Sequence, residues 1–526
     1  MQALRRLAHA WLLLPALLAT GCASLPDGVE RVSSVAVAPG AASALARMAA
    51  EASPDAELSG LVLMPTGPAA LATRLELLRR AEFGIDVQAY HIGNDATGRF
   101  FLRKLRDAAD RGVRVRLLLD DLYTAGEDEL LLGLAAHEHV ELRLFNPFAA
   151  GRDGWLTRFA LSLFDFARVH RRMHNKLLIV DGAVAVAGGR NLADEYFQRH
   201  EGQNFIDLDT VVVGAVLPRL SAIFDRYWNS EHALPIQAIA SSSMTPAQLR
   251  RHFDDLTAQA PAPEAAAASD RFGQRPLFDA LDADERPFVW ARTLAYADDP
   301  DKVLAAAVAD PLATPTDTQG IRFNLIELVR SAREEVIVSS PYVIPTPRSV
   351  QTMGLLSARG VRMSVLTNSA GSTDEPLVQI GYRRYREAML RLGVELYELV
   401  PQRLAPGIGR GGPDAPLGRL HAKTAVIDRE IVFIGSFNFD PRSAAHNTEF
   451  GLIVFSPMLA KQVNALIDFV RRQGAYQLRL ADDGSGIEWF APQPDGSRLR
   501  QAEPLGDGLR QWWLDLVAPF VPEDLL

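Results

Sequence analysis

Two segments of the chain combine side chains that could carry out chemistry on a phosphate group. Each reads His-x-Lys-x-x-x-x-Asp, at residues 174–181 and at residues 421–428. An imidazole can act as a nucleophile or move a proton, and an ammonium group can bind phosphate oxygens. The two copies share one internal spacing, and the chain holds only 11 histidines, so coincidence does not explain them. We therefore expect both copies to serve phosphate chemistry.

A turn of small residues that ends in asparagine follows each motif. The two turns are Gly188-Gly189-Arg190-Asn191 and Gly435-Ser436-Phe437-Asn438. Carboxamides and the backbone N–H groups of a glycine turn suit the oxygens of a phosphate. Exchanging a phosphodiester without a metal needs a nucleophile on one side and a proton donor on the other, and neither half supplies both. Two facing halves would together meet this requirement.

The elements that must position these residues occur twice in the same order. A helix, a strand, a second helix, a second strand and a short third strand precede each motif. In the first half they lie at 71–80, 84–90, 98–111, 113–119 and 140–142, and in the second half at 321–333, 335–340, 350–359, 361–366 and 394–396. The apolar stretch after each motif histidine is strand-like, which would place His and Lys on one face of a strand. Strands that alternate with helices imply an α/β fold, built twice.

The chain divides into six segments. Residues 260–269 are rich in alanine and proline, which is the composition of a linker. We expect a signal peptide at 1–21, a tether at 22–60, a first lobe at 61–235, a linker with connecting helices at 236–319, a second lobe at 320–456, and a C-terminal helix and extension at 457–526.

The N-terminus has the features of an export signal. Two arginines precede an apolar run at 10–18, which is shorter than the roughly 20 residues that span a membrane. The Gly21-Cys22 pair that follows resembles a bacterial lipobox, in which lipid is attached to the cysteine. Because Cys22 is the one cysteine of the chain, we expect a lipid anchor and no internal disulfide. Ala23 favours a lipoprotein of the outer membrane that faces the periplasm, and the alternative is a plain secretory signal.

The motif pair resembles the phospholipase D superfamily, whose active site lies between two such repeats. The resemblance covers roughly residues 60–230 and 320–455 and implies two pseudo-symmetric lobes, each a mixed sheet flanked by helices, with the site at their interface. It implies that His174 and His421 supply the nucleophile and the general acid or base, and we assign the nucleophile to His174. By the same resemblance, Lys176, Lys423, Asn191, Asn438 and Ser436 bind phosphate oxygens, and Asp207 and Glu449 orient the histidine rings.

Three sequence features near the motifs have separate interpretations. Asp181 and Asp428 belong to the catalytic motifs, although a structural role that ties each motif strand to neighbouring groups is favoured for them. Gly189 replaces the serine of the family's Gly-Ser turn in the first copy, so one hydroxyl contact is absent there. Asp120 and Asp121 follow a strand and are interpreted as a solvated strand end.

Longer segments are similar to bacterial cardiolipin synthases, especially to their C-type subfamily. They lie at 188–197, 205–210, 224–229 and 438–443, with Asn447 and Glu449 beyond. The similarity implies transfer of a phosphatidyl group from a phospholipid to the hydroxyl of phosphatidylglycerol, through a phosphatidyl-histidine and without a metal or other cofactor. Phosphatidylglycerol and phosphatidylethanolamine at a membrane surface are the expected partners, and a need for an accessory protein stays open.

Three other functions remain as alternatives. A phospholipase D would use the same intermediate with water as the acceptor and would release phosphatidic acid. A nuclease is disfavoured by the predicted anchor and by the net charge of −9, from 55 basic and 64 acidic residues, so no nucleic acid partner is expected. An inactive lipoprotein scaffold is disfavoured because both His, Lys and Asp sets are intact.

A stretch rich in large apolar side chains lies just before the first motif. Residues 155–166 include Trp155, Phe159, Phe164 and Phe166, and basic residues follow it. One interpretation is an interfacial helix that dips into lipid and guides anionic headgroups to the site. The other is a helix that packs on the core of its own lobe. The sequence leaves both open.

Overall fold

The computed structural model describes residues 24–38, 43–264, 267–270, 272–283, 285–304, 320–401, 404–405, 409–410, 417–484, 486–493, 495–503, 516–518 and 521–522. The predicted signal peptide at 1–21 and the predicted lipid-anchor residue Cys22 lie outside these residues. Within the part of the chain that is described, we find no helix with the length and apolar character that crossing a membrane requires.

The helices alternate with strands as the sequence predicted. They lie at Ala44–Ala52, Gly67–Arg80, Ala96–Asp110, Asp128–Ala135, Trp155–Leu161, Phe166–Val169, Leu217–Trp228, Ile236–Ile239, Pro246–Ala258, Leu277–Asp282, Ile321–Arg330, Pro347–Ala358, Pro376–Arg383, Arg386–Arg391, Pro441–Ala445 and Pro457–Gly474. Short 3-10 turns lie at Asp121–Tyr123, Leu163–Asp165, Asp194–Phe197 and Pro300–Val303.

The strands are numbered in chain order. They are β1 (Ser59–Met64), β2 (Gly84–Ala89), β3 (Arg114–Asp120), β4 (Val140–Phe145), β5 (Leu177–Val180), β6 (Val184–Gly188), β7 (Gln203–Ile206), β8 (Asp209–Gly214), β9 (Ala233–Pro235), β10 (Val289–Ala297), β11 (Glu335–Ser339), β12 (Arg362–Asn368), β13 (Glu395–Leu399), β14 (Leu404–Ala405), β15 (Gly409–Arg410), β16 (Leu417–Leu420), β17 (Thr424–Ile427), β18 (Ile431–Gly435), β19 (Phe450–Phe455), β20 (Ala475–Leu480), β21 (Ile487–Pro492) and β22 (Arg498–Gln501).

The first lobe is a mixed sheet with helices packed on it. β2, β3 and β4 are parallel, and helices Ala96–Asp110 and Asp128–Ala135 connect them. Gly112 adopts φ 89° after the first of these helices, a left-handed conformation that glycine accepts without strain and that turns the chain into β3. From β2 the sheet continues through β5, β6, β8 and β1 in antiparallel order.

The second lobe repeats this arrangement. β11, β12 and β13 are parallel, and from β11 the sheet continues through β17, β18 and β19 in antiparallel order. Gly360 adopts φ 77° at the position that matches Gly112. The predicted α/β fold of two pseudo-symmetric lobes, each a mixed sheet flanked by helices, is confirmed.

β10 joins the two sheets. Its first residues pair with β1, where Trp290 lies opposite Gly60, and its later residues pair with β19, where Leu294 lies opposite Ile453. Through β10 the strands form one 18-stranded sheet. β10 has the place in the second lobe that β1 has in the first, so the segment 236–319, predicted as a linker with connecting helices, also contributes a strand to the second lobe.

Parts of the predicted tether and C-terminal extension are folded onto the lobes. Within 22–60, helix Ala44–Ala52 buries Leu45, and the backbone N–H of Ala36 donates to Asp225 (2.9 Å). After residue 457, β20, β21 and β22 extend the second sheet beyond β13. Both segments therefore contribute to the packing of the lobes.

A buried apolar cluster spans the two lobes. It includes Ala185 and Val212 of the first lobe together with Ile434 and Leu452 of the second. Burial of apolar surface is the main favourable contribution to folding, so this shared core fixes one lobe on the other. The motif residues of both lobes are thereby positioned on one rigid frame.

Candidate active site

Both motifs enter their lobe at the start of a central strand. Residues 174–176 directly precede β5, and residues 421–423 directly precede β17. The sequence predicted that His and Lys of each motif lie on one face of a strand, whereas the hydrogen-bonded strand begins only after the lysine. The His and Lys side chains of both motifs are buried. They lie where the two lobes meet, as the contacts below establish.

The motif aspartates lie at the far ends of the motif strands. Asp181 (φ 53°) accepts the backbone N–H groups of residues 82–84 at 3.1, 2.8 and 3.0 Å. Asp428 (φ 53°) accepts those of residues 333–335 at 3.0, 2.7 and 3.0 Å. Seven residues of extended chain span roughly 23 Å, so neither carboxylate reaches its motif histidine. Their inclusion among the catalytic residues is therefore corrected, in favour of the structural role.

Backbone pairing between the lobes fixes both motif histidines. β16 of the second lobe leads into His421 and pairs in parallel with β7 of the first lobe, and the N–H of His421 donates to the carbonyl of Ile206 (2.8 Å). In the opposite direction, the N–H of His174 donates to the carbonyl of Thr448 (2.9 Å). Each histidine is thus hydrogen-bonded to the backbone of the other lobe.

The two carboxylates predicted to orient the histidines follow directly in the chain. Asp207 comes after Ile206, and its Oδ2 lies 2.6 Å from Nδ1 of His421. Glu449 comes after Thr448, and its Oε2 lies 3.1 Å from Nδ1 of His174. Because a carboxylate only accepts hydrogen bonds, Nδ1 of each ring carries the hydrogen and Nε2 keeps a free lone pair. The pairing is crossed, since each lobe supplies the carboxylate for the histidine of the other.

The two carboxylates are held in different ways. The hydroxyl groups of Ser436 and Ser443 donate to the two oxygens of Glu449, at 2.5 and 2.7 Å. The sequence assigned the Ser436 hydroxyl to a phosphate oxygen, and the structure places it on Glu449 instead. At the matching position of the first turn, a Cβ on Gly189 would lie 2.2 Å from Oδ1 of Asp207. Glycine is therefore required there to leave room for Asp207.

Burial and the neighbouring charged groups together decide the charge of the two histidines and the two carboxylates. Burial, with the adjacent motif lysine, lowers the pKa of His174 to about 4, and the same two causes lower the pKa of His421. Burial alone would raise the pKa of a carboxyl group, but the paired histidine holds the pKa of Asp207 and that of Glu449 below their ordinary values. At neutral pH both imidazoles are neutral and both carboxylates are charged. A neutral imidazole with a free Nε2 is the nucleophilic form.

The two motif lysines are buried beside the histidines. Lys176 Nζ donates to the carbonyl of His174 (2.7 Å), and Lys423 Nζ donates to the carbonyl of His421 (2.6 Å). Burial, with repulsion from Lys423, lowers the pKa of Lys176 to about 7, and burial lowers the pKa of Lys423 to about 8. An anion near both ammonium groups stabilises their charged forms. The pair is therefore suited to a phosphate.

The asparagines that end the two glycine turns are buried. Nδ2 of Asn191 donates to the hydroxyl of Tyr196 (2.8 Å), and the backbone N–H of Asn438 donates to the hydroxyl of Ser443 (3.2 Å). Among the described residues none donates to Oδ1 of either asparagine. A carboxamide has two N–H hydrogens and an accepting oxygen, so each asparagine can still bind a phosphate oxygen and a hydroxyl.

Aromatic side chains that the sequence analysis missed contact both histidines. Tyr90 lies edge-on to His174 with ring centroids 4.9 Å apart, and Tyr196 lies edge-on to His421 at 5.0 Å. Phe205 also packs against His421, at 4.9 Å. Tyr90 follows β2, which pairs with the motif strand β5, so a tyrosine at the end of the neighbouring strand was the available signal.

An acidic residue of the second lobe was also missed. The hydroxyl of Tyr342 donates to Oδ2 of Asp374 (2.7 Å), while Oδ1 of Asp374 is buried and accepts no hydrogen bond from the described residues. Asp374 acts electrostatically on His421 and Lys423. Its free oxygen can accept a hydrogen bond from a substrate hydroxyl. It lies in the loop after β12, where no repeated motif marks it.

The strand ends next to the motifs are buried, which corrects the interpretation of Asp120 and Asp121 as solvated. Asp120 accepts the backbone N–H of Met173 (2.8 Å). At the matching strand end, Asn368 accepts the backbone N–H of Leu420 (2.9 Å). Because Met173 and Leu420 each precede a motif histidine, these two side chains position the histidine backbone in both lobes.

The assembled groups can exchange a phosphodiester through histidine chemistry. The site offers two imidazoles with free Nε2 atoms, two ammonium groups and two carboxamides, and the carboxylates fix the tautomers. The residues that the structure describes contain no group of three or more His, Cys, Asp or Glu side chains placed to hold a metal ion.

Comparison with known proteins identifies the family of the chain. A family model described as "Cardiolipin synthase, PLD-like domain" matches residues 75–228 and 325–469, which together are more than half of the chain. The chain belongs to the cardiolipin synthase family of the phospholipase D superfamily. It is accordingly an enzyme of that superfamily that acts on phospholipids. Each matched segment contains one motif, one asparagine turn and one of the two crossed carboxylates.

Relatives within the cardiolipin synthase family cover most of the chain. Over 445 residues the chain is 37% identical to cardiolipin synthase C of Escherichia coli (strain K12), which spans 83% of this chain and 89% of that protein. Over 408 residues it is 25% identical to cardiolipin synthase A of Pseudomonas fluorescens (strain SBW25), which spans 77% of this chain and 67% of that protein. The predicted recognition of a cardiolipin synthase-like member of the superfamily is confirmed.

A solved structure shares the two-lobed fold of this member of the cardiolipin synthase family. The crystal structure of phosphatidylserine synthase from Haemophilus influenzae Rd KW20 superposes with a TM-score of 0.55 at 12% identity, over 91% of this chain and 100% of that chain. At this identity the likeness concerns the fold alone.

Proposed function

We propose that this enzyme is a phosphatidyltransferase that moves a phosphatidyl group from one phospholipid to the hydroxyl of another through a phosphatidyl-histidine intermediate. The observation that carries the proposal is the crossed pairing of Asp207 with His421 and of Glu449 with His174. It leaves two Nε2 atoms of defined tautomer in one site, which is what a two-step exchange at phosphorus requires. Cardiolipin is the expected product when phosphatidylglycerol is the acceptor.

In the first step, Nε2 of His174 attacks the phosphorus of the donor lipid. A nitrogen–phosphorus bond forms and the bond from phosphorus to the headgroup oxygen breaks. Nε2 of His421 gives its proton to the departing oxygen, so a free alcohol leaves. The negative charge of the bound phosphodiester favours the protonated form of His421 before this transfer. Lys176 and Lys423 bind the other phosphate oxygens.

In the second step, the acceptor hydroxyl gives its proton to Nε2 of His421 and its oxygen attacks the same phosphorus. The nitrogen–phosphorus bond breaks and its electron pair returns to His174. A new phosphodiester is released, and both histidines regain their starting states. No described residue donates to Oδ1 of Asn191, Asn438 or Asp374, so these oxygens are available to accept a hydrogen bond from the incoming hydroxyl.

The two histidines are not equivalent, which supports assigning the nucleophile to His174. Nδ1 of His421 lies 2.6 Å from Asp207, whereas Nδ1 of His174 lies 3.1 Å from Glu449. The shorter, charge-assisted hydrogen bond stabilises an imidazolium more strongly. His421 is therefore the better proton carrier. Glu449 shares its charge with Ser436 and Ser443, which leaves His174 as the neutral nucleophile.

The site is proposed to work on an anchored protein. Lipid on Cys22 would hold the enzyme at a membrane facing the periplasm, with the outer membrane favoured by Ala23. The support is the order of basic, apolar and small residues before Cys22. Metabolic labelling with a radioactive fatty acid tests this proposal. Label is expected on the natural chain and absent from a Cys22→Ser variant, and equal labelling of both would contradict the anchor.

Analysis of lipid products by mass spectrometry tests the proposed function. The enzyme is incubated with vesicles of phosphatidylglycerol and phosphatidylethanolamine, beside His174→Ala and His421→Ala variants. His252→Ala is the matched control, because this partly exposed histidine pairs with Glu129 on the surface of the first lobe. Cardiolipin is expected from the natural chain and the control alone. Phosphatidic acid without cardiolipin would mean that water is the acceptor and that the alternative, hydrolysis, is correct.

A further inference from the structure

The apolar segment before the first motif is exposed. The interpretation that it packs on the lobe core does not hold, because Leu156 is 84% exposed and Phe164 is 88% exposed. We call the exposed side chains of this segment the apolar ridge, which consists of Trp155, Leu156, Leu161, Leu163, Phe164 and Phe166. In the described chain, no other stretch of this length exposes as many large apolar side chains. Exposed apolar patches of this kind mark contact surfaces.

The apolar ridge is held in place from beneath. Arg158, which is buried, donates to the carbonyl of Leu122 (3.1 Å) and lies over the ring of Phe148 (4.9 Å). Arg168 donates to the carbonyl of Pro147 (3.0 Å). These contacts tie both ends of the ridge to the loop after β4 and to the turn after β3. The ridge is therefore a built surface of the first lobe.

A row of aromatic rings leads from the apolar ridge into the site. Trp155 stacks with Tyr123 at a centroid distance of 6.0 Å, Tyr123 meets Tyr90 edge-on at 5.3 Å, and Tyr90 meets His174 edge-on at 4.9 Å. Tyr123 is itself partly exposed. Two tyrosine rings thus separate the ridge from the proposed nucleophile, so packed side chains of the first lobe connect the ridge directly to the site.

We propose that the apolar ridge inserts into the surface of a lipid bilayer and holds the entrance of the site at the level of the phospholipid headgroups. The inference rests on the proposed function, because a bilayer phospholipid must bring its phosphate to a buried histidine. Trp155 and Tyr123 stand where the ridge joins the site, and such rings prefer the headgroup region, with an apolar body and a polar tip.

The shape of the apolar ridge favours a bilayer over a protein partner. A stable protein interface covers about 800 Å² on each partner, with flat, complementary packing. The ridge is narrow, since it comprises a seven-residue helix and the turns after it, and its outermost side chains protrude almost fully. An amphipathic segment of this form buries its apolar side chains among lipid tails at the edge of the headgroups. A bilayer is therefore the occupant that we infer.

Site-specific fluorescence tests insertion without relying on activity. In the full chain carrying Cys22→Ser, one cysteine is introduced by Phe164→Cys and labelled with an environment-sensitive dye. Leu355→Cys and Met458→Cys are matched controls, because both residues are 62% exposed and lie in helices Pro347–Ala358 and Pro457–Gly474, outside the ridge. Vesicles of phosphatidylglycerol and phosphatidylethanolamine that contain a quencher-labelled lipid are then added. A blue shift and quenching are expected at position 164 only, and an unchanged signal there, or equal quenching at all three positions, overturns the inference.

A paired substitution separates this inference from the proposed function. Leu156→Ser with Phe164→Ser is expected to lower the transfer rate on vesicles roughly tenfold or more, since each inserted side chain contributes apolar burial. The rate on lipid dispersed in detergent is expected to stay unchanged. Equal rates on vesicles overturn the inference and leave the function intact, whereas quenching at 164 without any transfer overturns the function alone. A dimer in sedimentation that the paired substitution dissociates would assign the ridge to a second copy instead.

Discussion

The residue scale is dominated by the crossed pairs of histidine and carboxylate. His421 pairs with Asp207 across 214 residues of sequence, and His174 pairs with Glu449 across 275. Each pair fixes which ring nitrogen carries the hydrogen, and burial keeps the ring neutral until an anion arrives. The different support of the two carboxylates separates the roles of the two histidines.

An activated donor should reveal this difference. A p-nitrophenyl phosphodiester has a leaving group that departs without a proton, so the first step no longer needs a general acid. We expect His421→Ala to lower the transfer rate with a phospholipid donor by about 10²–10⁴-fold. The rate at which p-nitrophenol is released in the initial burst should fall far less. His174→Ala should lose both activities. A burst that survives in His174→Ala and disappears in His421→Ala would exchange the two roles.

The buried lysines should weaken the fold at neutral pH. Burial lowers the pKa of Lys176 from 10.5 to about 7, so between these values the unfolded chain binds the proton that the folded chain releases. Below about pH 7 Lys176 is charged in both states, and the folded state carries the full free-energy cost of burying that charge. This cost falls as the pH rises from about 7 to about 10, so the free energy of unfolding increases over that range. Lys176→Met should melt at a higher temperature than the natural chain at pH 7 and lack activity.

The control for this prediction is Lys461→Met, which removes an exposed lysine. Its melting temperature should match that of the natural chain across the same pH range. The advantage of Lys176→Met should shrink as the pH rises toward 10. If the melting temperature of Lys176→Met exceeded that of the natural chain by the same amount at every pH, the charge of Lys176 would not be the cause of the difference.

The motif residues and both orienting carboxylates could be read from the sequence and its resemblance to the family, but which carboxylate pairs with which histidine could not. The spacing of the two motifs identifies His174, Lys176, His421 and Lys423 because local repetition marks them. Nothing local connects Asp207 to His421, since that contact exists only when β7 and β16 pair between the lobes. Single residues in irregular loops, such as Asp374, carry no pattern at all.

At the scale of elements, the motif strands are tied at both ends. Their N-terminal ends carry the histidines, and their C-terminal ends stop at Asp181 and Asp428, which accept three backbone N–H groups each. Both aspartates have positive φ, which Asp tolerates better than most residues. Each motif therefore carries its reactive residues at the N-terminal end of the strand and a residue that stabilises the fold at the C-terminal end.

Removing these charges should affect stability alone. Asn keeps the shape and the tolerance for positive φ but weakens the charge-assisted hydrogen bonds. We expect Asp181→Asn to lower the free energy of unfolding by about 2 kcal/mol and Asp428→Asn, at a more exposed position, by about 1 kcal/mol, with kcat unchanged. The pKa of Asp428 is lowered because backbone N–H groups outweigh its burial, so its contribution is present above about pH 4 and fades in acid.

Urea unfolding at pH 7 and at lower pH measures both effects. The difference between Asp428→Asn and the natural chain should narrow as the pH falls below 4. Loss of kcat at unchanged stability would contradict the structural role and return these residues to the catalytic set.

The sequence predicted the elements well where their apolar pattern is strong. β3 contains three consecutive leucines at 117–119, and both β3 and its counterpart β12 in the second lobe were found. β10 was missed because its buried residues, Ala291, Ala295 and Ala297, are all small and give a weak apolar pattern. Its place was fixed by pairing with β1 and β19, which no local signal encodes.

At the scale of the whole molecule, one sheet passes through both lobes. β10 hydrogen-bonds to a strand of each lobe, and the central apolar cluster includes residues of both. When two lobes share a sheet and a core, unfolding of one lobe exposes the apolar core of the other. The lobes should therefore behave as a single cooperative unit.

Calorimetry should show one unfolding transition. Leu117→Ala in β3 and Leu396→Ala in β13 are a matched pair, since both side chains are buried in the central strands of their own lobe. Each substitution is expected to lower stability by about 2–5 kcal/mol and to shift the same single transition. Two transitions, of which each substitution moves only one, would contradict a shared unit.

The crossed carboxylates also bear on how such a chain can change over generations. A substitution at Asp207 in the first copy damages the histidine of the second copy, and one at Glu449 damages the histidine of the first. Neither half can lose its carboxylate without impairing the histidine of the other half. Selection therefore acts on the two repeats together. The residues that contact the carboxylates can still differ between the two repeats. Ser436 in the second repeat and Gly189 in the first are one such difference.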